Sequence, residues 1–175
     1  MTVDPTRHVV VMGVSGSGKT TIARSIATAT GFEFAEGDRF HSPENIAKME
    51  AGHPLTDEDR WPWLRALAAW MNARADDGVS TVITCSALKR TYRDVLRDGP
   101  ESVDFLHLDG PAELIRGRMS HREGHFMPTS LLQSQIDTLE ALEPDESGTV
   151  LDLRQTPEVL IERALDWLDV TPKAD

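Results

Sequence analysis

The chain is poor in basic residues, has one cysteine, and contains no long apolar run. Lys and Arg together number 18 against 29 Asp and Glu, for a formal net charge of −11. A nucleic-acid binder needs a basic face to neutralise phosphates, so the balance argues against that class. A small anionic substrate is not excluded, because a few cations can still gather in one pocket. The lone Cys85 rules out an internal disulfide and fits a reducing compartment. Nothing beside it argues for an activated thiolate. No apolar run approaches the roughly 18 residues of a membrane span, and Met1–Arg7 carries no apolar signal segment. A soluble, cytoplasmic protein is expected, with no membrane partner. Its 175 residues are expected to form a single domain, without internal repeats or low-complexity linkers.

The chain is organised around Gly13-Val14-Ser15-Gly16-Ser17-Gly18-Lys19-Thr20, which matches the phosphate-loop pattern. The apolar, β-branched run His8–Met12 before it reads as a buried strand. Ile22 and Ile26 after it fall on one face of a helix. Gly13, Gly16 and Gly18 let backbone N–H groups close around a phosphate, and the helix start near Lys19 points its positive end there. In this pattern Lys19 reaches the β- and γ-phosphates and Thr20 offers a hydroxyl to Mg²⁺. Gly31 ends the helix.

A short strand, Phe32–Ala35, then delivers Glu36-Gly37-Asp38 to the sheet edge where ligands bind. Of these two carboxylates, one suits a Mg²⁺ shell and the other an acceptor hydroxyl; an ordinary polar turn is the alternative. Ser42-Pro43-Glu44 starts a helix that Gly52 stops. Thr56-Asp57-Glu58-Asp59 caps a long helix to about Ala75, with Leu64, Leu67, Ala68 and Met71 as its buried stripe. Trp61, Trp63 and Trp70 read as packing residues. Arg60 stands near the start of this helix, the unfavourable end for a cation, and is a candidate anion ligand. The strand Val79–Thr84 runs into Cys85-Ser86-Ala87-Leu88-Lys89-Arg90-Thr91-Tyr92-Arg93, where Lys89, Arg90 and Arg93 cluster at the same ligand edge. At least one is expected to contact substrate. A further strand, Val103–Leu108, precedes a helix from Ala112 to about Arg122. Arg118 and Arg122 share one face of that helix, which leads into a polar loop broken by Gly124 and Pro128. That loop, about residues 121–130, is a plausible lid carrying positive charge over the triphosphate. His121 and His125 lack a nearby third ligand for a metal. A helix with Leu131, Leu132, Ile136 and Leu139, a last strand at 149–153 and a helix from Thr156-Pro157-Glu158 complete the chain. Five strands alternating with helices predict an α/β protein: three layers, a parallel sheet and right-handed crossovers.

The chain resembles the gluconokinase family, a branch of the shikimate-kinase-like phosphate-loop kinases. The resemblance rests on residues 12–20, Gly37-Asp38 with Phe40-His41, Asn45-Ile46 with Lys48-Met49, and Gly52. It rests further on Pro54-Leu55-Thr56-Asp57, Asp59-Arg60 with Pro62-Trp63-Leu64, Cys85–Lys89 with Tyr92-Arg93-Asp94, and Gly124-His125-Phe126. The loop is shared by many kinases; the segments at 37–64 and 84–94 are more specific. The resemblance implies a five-stranded sheet of order 2-3-1-4-5. It implies ATP- and Mg²⁺-dependent phosphorylation of D-gluconate to 6-phospho-D-gluconate, by a cytoplasmic homodimer. Gly13, Ser15, Gly16, Ser17, Gly18, Lys19, Thr20 and Thr21 would hold the nucleotide. Arg118 would stack on adenine, Gln155 and Pro157 would border it, and Arg122 would reach the phosphates. Asp38 would face the acceptor hydroxyl, with His41, Arg60, Ser86, Lys89 and Arg93 on the gluconate side. Thr20 and Glu36 would serve Mg²⁺, although Glu36 stands where relatives often carry Asp. Kinases of other small acids such as shikimate share the residue types, but carry a Gly-rich turn where this chain has Ser86-Ala87-Leu88. The acceptor motifs of nucleoside monophosphate kinases are missing. A non-catalytic nucleotide switch would not need Lys19, Thr20, Asp38 and a lid arginine together.

Overall fold

A computed structural model describes residues 5–120 and 130–170. Its centre is β1 (His8–Met12), five consecutive residues that are all buried, as expected of a strand covered on both faces. The other strands are β2 (Glu33–Glu36), β3 (Thr81–Thr84), β4 (Val103–Asp109) and β5 (Gly148–Asp152). Every pairing is parallel and the order is β2-β3-β1-β4-β5. This is the five-stranded α/β architecture expected from the alternation of elements.

The helices are α1 (Lys19–Thr30), α2 (Pro43–Glu50), α3 (Asp57–Asp76), α4 (Arg90–Arg97), α5 (Ala112–Ser120), α6 (Ser130–Thr138) and α7 (Pro157–Leu168). Right-handed crossovers from a central strand place α1 on one face of the sheet and α3 and α4 on the other. Accordingly α1 packs against α7, and α3 against α4. Helix boundaries follow local chemistry. Ser42 caps α2 ahead of Pro43, and Thr56 with Asp59 forms a full capping box on α3. Pro62 sits within the first two turns of α3, close to the end where a missing N–H costs little. Val9, Val10 and Val11 of β1 meet Ile22 and Ile26 of α1, Leu64, Leu67 and Met71 of α3, Ile83 of β3, and Phe105 and Leu106 of β4 in one core.

Because all five strands run the same way, the segments that follow them share one edge. Residues 13–18, 37–41, 85–89 and 153–156 therefore converge there, beside the switch point where α/β sheets bind ligands. No described helix is long and apolar enough to cross a membrane. The expected lid, with Arg122, His121 and His125, lies outside the described residues.

Candidate active site

The loop after β1 is an anion cradle with unmet demand. The Ser15 and Ser17 hydroxyls are buried and have no hydrogen-bond partner among the described residues. Buried hydroxyls without partners are costly, and phosphate oxygens would satisfy them. Lys19 Nζ folds over the loop and donates to the carbonyls of Gly13 (3.0 Å) and Val14 (3.1 Å). The Ser15 amide donates to Gln135 Oε1 from α6 at 2.6 Å, so an oxygen is already held by the loop's backbone. Gly16 has φ +81°, and a Cβ there would lie 2.3 Å from Met119 Cγ. Its lack of a side chain lets α5 close onto the loop.

Beside the cradle, Glu36 at the end of β2 accepts hydrogen bonds from the Thr20 hydroxyl (2.9 Å) and the Thr84 hydroxyl (2.8 Å). This all-oxygen group suits a hard cation. Among the described residues no cluster of three or more His, Cys, Asp or Glu could hold a metal. Mg²⁺ carried mainly by phosphates and water needs only one or two protein oxygens, so the Thr20–Glu36 pair fits it.

Gly37 explains how Asp38 is aimed. A Cβ on Gly37 would sit 1.8 Å from the Thr84 carbonyl oxygen, so the chain passes β3 only as glycine. Its amide donates to Thr84 Oγ1 (3.1 Å) and its carbonyl accepts from Trp63 Nε1 (2.8 Å). Held on both sides, Gly37 presents Asp38 to a cavity of about 410 Å³ that also contacts Gly16, Lys19 and Thr20. His41 stacks on Trp63, with centroids 3.9 Å apart and planes at 20°. Burial first, and then the Arg60 charge, hold the His41 pKa down to about 4, so the ring is neutral near pH 7. Asn45 Nδ2 lies 3.4 Å from His41 Nδ1; an amide donor at Nδ1 leaves the proton on Nε2. Burial also pushes the Cys85 thiol up to about 12, which leaves it inert as a nucleophile.

The cavity is lined further by Arg60 with Pro54 and Leu55, and by Leu131, Ser134 and Gln135 of α6. Met49, Leu55 and Leu131 form a small apolar cluster that ties α2 to α6. Arg60 Nη1 donates to the Leu55 carbonyl (2.8 Å) and to the Tyr92 hydroxyl (3.0 Å). Tyr92 in turn donates to Asp57, and Asp57 pairs with Lys89 at 3.3 Å.

The structure brings Ser15, Gly16, Gly18, Lys19, Thr20, Glu36, Asp38, His41, Arg60 and Ser86 to one cavity. Gly13 and Ser17 belong to the same loop without lining the cavity itself, and Thr21 is exposed on α1. Lys89 lies outside the lining, held by Asp57. Arg93 takes a different place from the one expected of a substrate cation. It is fully buried, and its Nε meets Glu146 Oε1 at 2.7 Å. Nη1 donates to the Ala87 and Glu140 carbonyls and Nη2 to that of Ala141. The reason is its place on α4: Arg93 lies with Tyr92 and Leu96 among the buried residues of that helix, so its guanidinium is turned into the interior. Burial alone would raise the Glu146 pKa, but Arg93, the Glu143 amide and Arg97 hold it down to about 2. Arg90 is likewise occupied by Asp94, Glu143 and Asp145. Arg118 Nη2 donates to the Leu153 carbonyl (3.0 Å), which brings it close in the chain to Gln155 and Pro157.

Sequence reasoning missed Gln135, Ser134 and the cavity-facing role of Trp63. The signal for the first two was available: they sit three and four residues after Leu131, so polar groups continue an apolar stripe. Trp63 is packed, as read from the sequence, yet it also borders the cavity.

Comparison with known proteins gives a consistent set of relatives. A family model described as an AAA domain matches residues 9–142. The chain is 46% identical over 159 residues to a gluconokinase of Gluconobacter oxydans, covering 91% of this chain and 89% of that one. Among solved structures, a gluconokinase from Sinorhizobium meliloti superposes with TM-score 0.83 at 46% identity, covering 94% and 92% of the two chains. A sugar kinase from Janibacter superposes with TM-score 0.93 at 82% identity, covering 95% and 96%.

Proposed function

The chain belongs to the gluconokinase family, and from that premise we propose how its cavity carries out ATP-dependent phosphorylation of D-gluconate to 6-phospho-D-gluconate. The observation that carries the reading is a single cavity lined at once by the phosphate loop, Asp38 and Arg60. A phosphate donor, an acceptor hydroxyl and a carboxylate can all be met inside it.

The donor half is the loop. Backbone amides of residues 13–18, the Ser15 and Ser17 hydroxyls, Lys19 and the amides of Thr20 and Thr21 bind the triphosphate. Arg118, Gln155 and Pro157 take the adenine end, and Arg122 supplies charge from the lid. Thr20 and Glu36 hold Mg²⁺, which when bound neutralises charge on the phosphates. In the acceptor half, Arg60 binds the gluconate carboxylate, with Lys89 at the rim adding positive potential. His41 and Ser86 meet hydroxyls of the sugar acid. Phosphoryl transfer asks mainly for alignment and charge neutralisation. Asp38 aligns the 6-hydroxyl for in-line attack on the γ-phosphorus. As the new O–P bond forms, the bond to the ADP oxygen breaks and the hydroxyl proton passes to Asp38. The protein is further proposed to be a cytoplasmic homodimer.

ADP release measured with ATP and Mg²⁺, with and without D-gluconate, tests the reading. Strong stimulation by gluconate is expected. ADP release that gluconate does not change would overturn it.

A further inference from the structure

Arg60 alone does not explain why its guanidinium is held at the cavity wall rather than collapsed onto an acid. The chain is rich in carboxylates, and Asp57 lies one helical turn away on α3. A direct Arg60–Asp57 pair would cancel the charge that an acidic substrate needs. Instead the Tyr92 hydroxyl stands between them, accepting from Arg60 Nη1 at 3.0 Å and donating to Asp57 Oδ1. Asp57 spends its charge on Lys89, 3.3 Å away.

The tyrosine itself is fixed. It is 1% exposed, and Trp61 meets its ring edge-on with centroids 5.5 Å apart. The Arg60 guanidinium lies 5.2 Å from the ring centroid and Lys89 Nζ 5.6 Å from it, both within cation–π range. With Nη1 spent on the Leu55 carbonyl and Tyr92, the Nε–Nη2 edge of Arg60 makes no hydrogen bond among the described residues. That edge is the fork that takes a carboxylate bidentately.

We propose that Tyr92 is a positioning residue of the acceptor site: it orients Arg60 so that its Nε–Nη2 edge receives the substrate carboxylate, and it insulates Arg60 from Asp57. Burial, and then the bond to Asp57, push the phenol up to about 12, so it remains a donor throughout the physiological range. This assignment rests on the gluconate reading above. It adds that recognition depends on one hydroxyl which touches no substrate.

Tyr92→Phe removes that hydroxyl and leaves the ring. The expected result is a gluconate KM raised about tenfold, the loss of one hydrogen bond to a charged group, with kcat and the ATP KM within twofold of wild type. Tyr92 is also the only tyrosine in the chain, so protein labelled with ¹³C at tyrosine Cζ gives one resonance. D-gluconate should shift it saturably in wild type, and sorbitol, which lacks the carboxylate, should not. An unchanged gluconate KM in Tyr92→Phe would overturn the proposal, as would equal losses in kcat and both KM values or a resonance indifferent to gluconate. Failure of the gluconate reading itself is separate: wild type would then show no gluconate-stimulated ADP release.

Discussion

The two halves of the cavity are built in opposite ways. The phosphate cradle of the donor half is local: eight consecutive residues, 13–20, supply amides, two short hydroxyls, a lysine and a threonine. The acceptor half is assembled from afar, with Asp38 and His41 after β2, Arg60 on α3 and Ser86 after β3. A local site depends on its own spacing. An assembled site depends on what holds each contributing segment, and here the holders are polar and buried. Gly37 is fixed by Thr84 and Trp63. Arg93 and Glu146 join the residue 85–89 turn to the segment after α6, and the Glu140 amide donates to the Leu88 carbonyl at 2.7 Å.

The difference between the halves can be broken at several points. Asp38→Asn should have the largest effect, lowering kcat about a thousandfold, within the range for loss of a proton acceptor, while ATP binding measured by calorimetry stays near wild type. Near-normal turnover in that variant would remove Asp38 from the mechanism. Lys19→Ala should lower kcat about a hundredfold and also weaken ATP, leaving gluconate binding in place, as read by equilibrium titration of each ligand separately. Arg93→Met takes from Glu146 its fully buried partner and leaves it only Arg97 and the Glu143 amide; breaking a buried pair costs at most about 3–5 kcal/mol. Urea denaturation should show that loss, whereas a cation serving only substrate would leave the midpoint unmoved.

The smallest effect is a pH dependence. The His41 pKa is held to about 4, well below its ordinary 6.5. Its contribution to stability is therefore complete above pH 6.5 and is lost as the pH falls toward 4, on the order of 2–3 kcal/mol. Wild type should lose more thermal stability than His41→Gln between pH 7 and pH 4.5. Parallel curves would show that His41 is not held neutral by the fold.

These contrasts also explain what could be read without coordinates. Strand positions, helix caps and the phosphate loop are encoded by neighbours in the chain, so His8–Met12, Ser42-Pro43 and Thr56–Asp59 announce themselves, whereas the strand order was legible only through the family resemblance. Arg60, Lys89 and Arg93 are the harder case, because they look alike in sequence and differ only in depth and partner. Arg93 is neutralised by Glu146, 53 residues away, and Lys89 by Asp57, 32 residues away. No local pattern encodes either pairing. Gly37 reads as a turn glycine, yet its need comes from the carbonyl of Thr84 on another strand. The spacing of Gln135 from Leu131 could mark it as facing the same side of its helix, but its partner, the Ser15 amide, is 120 residues distant and no local pattern encodes that contact.

The central claim is that an acceptor half, separable from the phosphate loop, recognises an acid through Arg60. Steady-state kinetics of Arg60→Ala, with both KM values measured on one preparation, test it most directly. Loss of a bidentate charged contact predicts a gluconate KM at least thirtyfold higher, about 2 kcal/mol, with the ATP KM unchanged. A gluconate KM at the wild-type value, or an ATP KM that rises in step with it, would contradict the account.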